Sequence, residues 1–308
     1  MTPHDLPYRI EPADSGTAVV FHRDIPAGNR VEQQPGGNIS GSRSMCESPT
    51  HREGGRMRVI ALNGSARGKK GVTWRLMDAF LEGLAEGGAT VKDIQLHELG
   101  ISYCNACLTC MHRTPGQCAI KDDMEQIYPY LKESDILVMG TPVYTDTMTA
   151  QMKTVMDRCI CCLDPFLRID EEDRTRHPYS WRMPAGFFLI STSGFPEKES
   201  FHPLIATYKA QAANFGSTSL GEICVPGSIA LQVVPQNLEA HLDMTGQAGR
   251  MLALFGKVEP TLLEEINEPI LTRQKYLQIA ARYEDWCRRR RGEAPSWAVP
   301  CQRIPGEK

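Results

Sequence analysis

The sequence lacks any apolar run approaching the roughly 18–20 residues of a membrane-spanning helix, so no membrane segment is expected. It also lacks an apolar segment behind a basic N-terminal start. No signal peptide is therefore expected, and the protein reads as cytoplasmic. No sign of charge dominates: 34 Lys and Arg stand against 37 Asp and Glu, a formal net charge of -3. That balance argues against a basic grip on nucleic acid. The basic run Arg288–Arg291 reads as a solvated helix end whose charge suits the negative helix terminus. Cysteine, by contrast, is plentiful, with 11 in 308 residues. Without a secretory signal these read as ligands or redox groups before disulfides.

Residues 1–56 hold six Pro and seven Gly, and their longest apolar run is Ala18-Val19-Val20-Phe21. Such a stretch buries too little surface to offset its ordering entropy. A poorly ordered tail is expected there, with a short strand near Thr17 to His22. From Met57 strand and helix patterns alternate. Strands are expected at Met57 to Leu62, Val91 to Leu96, Asp135 to Gly140, Gly186 to Thr192 and Leu220 to Val225. Helices are expected at Thr73 to Glu86, Asp122 to Lys132, Met148 to Cys159 and Phe201 to Phe215. The alternation implies a parallel sheet covered on both faces, with the apolar third strand central. The last third is helical, with candidates at Leu238 to Phe255, Leu262 to Ile266 and Leu271 to Arg291. The expected organisation is a tail (1–56), an α/β domain (57–230) and a helical C-terminal extension (231–308).

Three loops could carry chemistry. After the first strand comes Asn63-Gly64-Ser65-Ala66-Arg67-Gly68-Lys69-Lys70-Gly71-Val72-Thr73. A strand, a Gly- and Ser-rich turn and a helix start can hold phosphate, because helix-terminal N–H groups and the dipole both favour an anion. Ser65 and Thr73 could add hydroxyls and Arg67 a fork of N–H groups; a plain strand-to-helix connection is the competing reading. The second is Cys104-x-x-Cys107-x-x-Cys110-x7-Cys118. Four thiolates in a small volume suit a cubane iron–sulfur cluster, structural zinc or unliganded redox thiols, and spacing alone leaves all three open. His112, inside this loop, reads as exposed and idle. The third is Thr141-Pro142-Val143-Tyr144-Thr145, after the central strand and beside the first loop, where doubly wound sheets bind ligands. The loop containing Ser193-Gly194-Phe195 opens on the same edge. Cys159, Cys161 and Cys162 read as buried helix-end residues, with an auxiliary redox role as the competing reading.

Met57 to about Val225 resembles the flavodoxin-like, FMN-binding oxidoreductases related to NADPH-dependent FMN reductases, and more narrowly the iron–sulfur flavoproteins. The resemblance rests on Asn63 to Arg67 with Thr73, the four spaced cysteines followed by Asp122-Asp123-Met124, Thr141 to Tyr144, and Lys153 with Asp157-Arg158. It implies a five-stranded sheet in the order 2-1-3-4-5. It implies that Ser65, Arg67 and Thr73 hold the FMN phosphate, that Pro142, Val143 and Tyr144 lie along the flavin ring, and that Cys104, Cys107, Cys110 and Cys118 ligate a 4Fe-4S cluster. The sequence departs from the family where an Asn often precedes the Thr and here Val72 stands.

The function implied is electron transfer, with the cofactors carrying the chemistry and no catalytic side chain required. NAD(P)H or ferredoxin would donate and a small molecule or redox protein accept. The alternatives are a cluster-free NAD(P)H-dependent FMN or quinone reductase, and a non-enzymatic flavin- or metal-bound regulator. Trp286, Trp297 and the apolar faces of the C-terminal helices suggest a homodimer or homotetramer.

Overall fold

The computed structural model describes residues 56–294 and two short strands near the N-terminus, β1 (Tyr8–Pro12) and β2 (Val19–Arg23). These two pair antiparallel, Ile10 opposite Phe21. β2 answers the strand expected near Thr17 to His22, while β1 carries no apolar run and was not foreseen. The rest of the expected tail lies outside the described residues, as does Trp297.

The main sheet contains β3 (Arg58–Asn63), β4 (Thr90–Gln95), β5 (Ile136–Gly140), β8 (Gly186–Thr192) and β9 (Thr218–Val225). Its order is β4-β3-β5-β8-β9 and all neighbours are parallel. This is the expected flavodoxin-like order. Every residue of β5 and β8 is buried, as near-continuous apolar strands covered on both faces require. Between β5 and β8 the small strands β6 (Arg168–Ile169) and β7 (Thr175–Arg176) form a hairpin whose polar sequence gave no strand signal.

Strand alternation sorts the core into two layers. On one face Val59, Ala61, Val138, Phe188 and Ile190 pack with α1 (Val72–Glu86) and with side chains from the C-terminal helices. On the other, Ile60, Leu62, Leu137, Met139 and Leu189 pack with α3 (Tyr128–Glu133), α4 (Ala150–Arg158) and α5 (His202–Asn214). The helix expected over Asp122 to Lys132 is broken into a 3-10 turn, Asp123–Gln126, and α3. Pro129 explains the break, since it has no N–H and its ring crowds the carbonyl four residues back. A short α2 (Thr109–His112) lies in the Cys-rich loop, with His112 exposed as expected.

After β9 the chain forms α6 (Ser228–Leu231), α7 (Glu239–Phe255), α8 (Pro260–Ile266) and α9 (Arg273–Arg291). Leu252, Ile266, Tyr276 and Ile279 of these helices are buried in the same core as α1. α9 also leaves Leu277, Tyr283 and Trp286 exposed, with Tyr283 stacked on Trp286 at 5.7 Å. Among the described residues no helix is long and apolar enough to cross a membrane.

α1 and α7 touch backbone to backbone. A Cβ on Gly83 would lie 1.9 Å from the Gly246 carbonyl oxygen, and one on Gly249 2.0 Å from that of Phe80. Helix propensity favours Ala over Gly by up to about 1 kcal/mol, whereas overpacking costs typically about 1–3 kcal/mol. The obstruction here is backbone, which cannot rotate aside. Gly249→Ala is therefore expected to lose about 1–2 kcal/mol and several degrees of Tm. Thermal unfolding checks this against Gly100→Ala, whose methyl meets a side-chain oxygen at 3.6 Å. An unchanged or raised Tm in Gly249→Ala would refute the account of this crossing.

Candidate functional site

The carboxyl ends of β3, β5 and β8 bring three loops together. Gly64 donates its N–H to the Gly140 carbonyl (2.7 Å), and Thr149 Oγ1 donates to the Gly64 carbonyl (2.7 Å). A Cβ on Gly64 would come within 2.8 Å of Thr149 Oγ1 and 3.0 Å of Met152 Cβ, so this turn needs glycine. Val143 donates its N–H to the Thr192 carbonyl (2.8 Å), and Ser191 Oγ to that of Thr141 (2.7 Å). These bonds sew the loops into one edge.

In the first loop Ser65 is buried, and its Oγ accepts the Arg67 N–H at 3.3 Å. Gly68 adopts φ +53° with the His97 ring where a side chain would stand. α1 begins after Gly71, which offers no side-chain cap, and the first turn carries no acidic residue. A helix leaves its first four N–H groups without intrahelical partners. This end is thus suited to an anion. By comparison, α4 and α9 begin on Thr149 and Thr272, whose side chains cap them. Arg67 is exposed, and its guanidinium donates to the Gln232 side chain. Thr73 is buried with its hydroxyl 2.7 Å from that of Thr192, and either oxygen can donate in that bond.

Pro142 is buried, Val143 half-buried and Tyr144 about half exposed. The turn after Tyr144 places Thr145 and Asp146 at φ 47° and 63°. A β-branched residue is uncommon at positive φ and costs of order 1–3 kcal/mol. Ser193 is buried and its hydroxyl donates to the Phe195 carbonyl (2.8 Å), while Tyr276 Oη donates to that of Gly194 (2.9 Å). The expected residues of all three loops therefore meet at one edge, but the hydroxyls of Thr73 and Ser193 already have protein partners.

The Cys-rich loop forms the second part of the site. Cys104, Cys107, Cys110 and Cys118 all line one cavity of about 70 Å³, several times the roughly 10–15 Å³ that one water needs. All four are free thiols. Ala106 and Leu108, between the first three cysteines, both have φ 54°. Left-handed residues curl the chain between the cysteines, and the Cys107 N–H donates to Asn105 Oδ1 at 3.2 Å. Burial, then the neighbouring thiols of Cys118 and Cys107, raises the Cys110 pKa, while a hydrogen bond from Thr109 lowers that of Cys107. Among the described residues no three His, Cys, Asp or Glu side chains are grouped around a single-ion site. The thiols surround a hollow, which suits a polynuclear group.

Both ends of this loop are tied to one buried cation. The Arg158 side chain is fully buried and forks onto Asp122 at 2.6 and 3.1 Å. It also donates to the carbonyls of Ser102 (2.7 Å) and Ile120 (3.2 Å). Its Nε–H finds no hydrogen-bond partner among the described residues, although the side chain stands in the cavity wall beside Cys118. The four thiols at this one hollow are the donor set that an anionic iron–sulfur group takes. Cys159, Cys161 and Cys162 are buried, as expected, and burial raises their pKa values, that of Cys161 to about 11. Cys161 also lines the cavity, which sequence reasoning missed. It stands three residues after Arg158, and that offset was the available signal.

Residues 57–213, half of the chain, match the family model described as NADPH-dependent FMN reductase. The chain belongs to this family. It is 36% identical over 104 residues to an iron-sulfur flavoprotein of Archaeoglobus fulgidus, covering 34% of this chain and 46% of that one. It is 39% identical over 103 residues to an iron-sulfur flavoprotein of Methanocaldococcus jannaschii, covering 33% and 50%. The matched region thus spans about half the length of these curated relatives.

Burial pushes the Asp122 carboxyl up, but hydrogen bonds from Arg158 and from the N–H groups of Ser102 and Met124 outweigh it and hold the pKa below its ordinary value. A depressed carboxylate stabilises the fold above its unfolded pKa of about 3.9, and that stability is lost as pH falls through the folded value. Asp122→Asn would leave the Arg158 charge unpaired, costing about 3–5 kcal/mol. Urea unfolding is expected to show that loss at pH 7 and a much smaller difference from wild type in acid. Equal stability of the two proteins at pH 7 would refute the clamp.

Proposed function

We propose that this chain is an FMN-dependent oxidoreductase that carries an iron–sulfur cluster beside its flavin. The observation that carries the flavin reading is the uncapped amino end of α1, set behind a glycine turn where three loops meet. Ser65, Arg67 and the first-turn N–H groups of α1, Thr73 included, would hold the phosphate. Pro142, Val143 and Tyr144 would flank the ring, with the Ser193-Gly194 loop on the adjoining side. Cys104, Cys107, Cys110 and Cys118 would hold a 4Fe-4S cluster, supported by the one cavity they line and the left-handed residues between them. When bound, the flavin would supply two-electron chemistry and the cluster single-electron exchange, with the protein contributing orientation and insulation from water.

On this reading NAD(P)H or a ferredoxin donates electrons, and a small molecule or redox protein accepts them. The exposed Leu277, Tyr283 and Trp286 of α9 support assembly as a homodimer or homotetramer. The second reading is a flavin reductase without a metal centre, supported by the match to the NADPH-dependent FMN reductase family.

Arg67→Ala removes a charge-assisted contact of about 1.5–3 kcal/mol. FMN affinity, read by titration, is expected to fall about tenfold or more while riboflavin affinity holds; equal losses would refute the phosphate loop. Cys104→Ala in protein purified without oxygen is expected to lose most bound iron while keeping FMN. Cys224→Ala, at the buried carboxyl end of β9, should keep both. Iron that survives Cys104→Ala, or stoichiometric zinc in wild type, would leave the cluster-free reductase as the better reading.

A further inference from the structure

The family match ends at residue 213, before β9 and the C-terminal helices. Yet the segment that follows β9 is fastened to two of the three edge loops. Gly227 donates its N–H to the Phe195 carbonyl (2.8 Å), and Ser228 to that of Ser193 (2.8 Å). Ala230 and Leu231 of α6 are fully buried in the core that also holds α1. These anchors fix α6 and the residue that ends it, Gln232, which is itself exposed. The Gln232 side-chain oxygen accepts a hydrogen bond from Arg67 Nη1, in the loop after β3 and 165 residues away in sequence. A second arginine makes a parallel link. Arg75, in the first turn of α1, donates to the Pro235 carbonyl (3.4 Å) and forms an ion pair with Glu239 (3.1 Å). The amino end of α1 is thus flanked by residues 64–71 on one side and residues 227–239 on the other.

The two arginines are paired differently. Arg75 has a carboxylate partner, so its charge is matched within the chain. Among the described residues the Arg67 side chain has no carboxylate partner, and its acceptor is a neutral amide. A guanidinium carries five N–H donors, and Gln232 takes one of them. The remaining donors and the whole charge are left for an anion. A long exposed side chain such as Arg67 loses rotamer freedom when a ligand orders it. With Gln232 as acceptor, part of that ordering is present before a ligand arrives. A carboxylate at the same position would orient the guanidinium too, but it would also neutralise it.

We propose that Gln232 is a positioning residue that makes the site select FMN over riboflavin, by holding the Arg67 guanidinium oriented and still charged beside the amino end of α1. The inference rests on the phosphate reading of this loop and extends the site into the C-terminal segment. Gln232 acts through Arg67 and has no need to touch the flavin. Its influence is confined to the part of the ligand that Arg67 meets, the phosphate. Loss of its acceptor oxygen therefore weakens FMN alone. A carboxylate in its place weakens FMN further, because it competes with the phosphate for the same cation and repels it. Without Arg67, Gln232 has no influence on either flavin.

The test titrates FMN and riboflavin into the full-length protein freed of flavin, as wild type, Gln232→Met, Gln232→Glu, Arg67→Ala and the Arg67→Ala/Gln232→Met double variant. Methionine keeps the length of the side chain without its oxygen, and riboflavin affinity reports whether each variant has folded. Gln232→Met is expected to bind FMN about three- to tenfold more weakly, the range for ordering one long side chain, with riboflavin affinity unchanged. Gln232→Glu is expected to lose more than Gln232→Met at low salt, the gap narrowing as salt screens the added charge. The double variant should bind FMN as Arg67→Ala does. Unchanged FMN affinity in Gln232→Met, or equal losses for both flavins, would overturn the proposal. So would a Gln232→Glu protein that binds FMN more tightly than Gln232→Met at low salt, or a double variant weaker than Arg67→Ala. If Arg67→Ala weakens both flavins equally, or neither, the phosphate reading itself fails and this inference with it. That outcome is read from the Arg67→Ala protein alone, and so is told apart from a failure confined to Gln232.

Discussion

The ion pair between Arg158 and Asp122 is the interaction on which the cysteine region depends. A fully buried guanidinium is costly to desolvate, and it is tolerated only where its hydrogen bonds are met. Here four of the partners are Asp122 Oδ1 and Oδ2 and the carbonyls of Ser102 and Ile120. Those carbonyls lie just before and just after the cysteine run. The pair therefore closes a loop of about twenty residues onto the end of α4. Breaking it would free both ends of the loop at once.

The other end of the same helix is fixed to the flavin-type edge. Thr149 caps α4 and also donates to the Gly64 carbonyl, while its own N–H donates to Thr141 Oγ1. One nine-residue helix thus joins the glycine turn to the cysteine cavity, a span of about 14 Å at 1.5 Å per residue. That rigid element sets the separation between the two regions, and the core face of α4, with Met152 and Val155, anchors it to the sheet.

The sheet was legible because β5 and β8 are unbroken apolar runs, and because Gly87-Gly88 ends α1. The three edge loops were legible as Gly-, Ser- and Pro-rich breaks directly after strands. The rest was hidden for physical reasons. Pro129 splits a segment whose apolar spacing reads as one helix. The hairpin at residues 168–176 is polar and held by local charge pairs such as Arg174 with Asp170. Arg158 would ordinarily read as a surface charge, and its burial depends on a carboxylate 36 residues away. The pairing of the Thr73 hydroxyl with Thr192, 119 residues on, likewise depends on the fold. Cys161 has no ligand spacing to any neighbour in sequence, and only the fold brings it to the other four thiols.

The central claim is that one chain holds a flavin at the sheet edge and a cubane in the cysteine cavity, joined by α4. Its most direct measurement is the cofactor content of wild-type protein isolated without oxygen, read by absorption, flavin release and iron and sulfide assay. The account predicts about one FMN, four irons and four sulfides per chain. Protein that binds no FMN when it is supplied, or that carries FMN with no iron after anaerobic reconstitution, would contradict it.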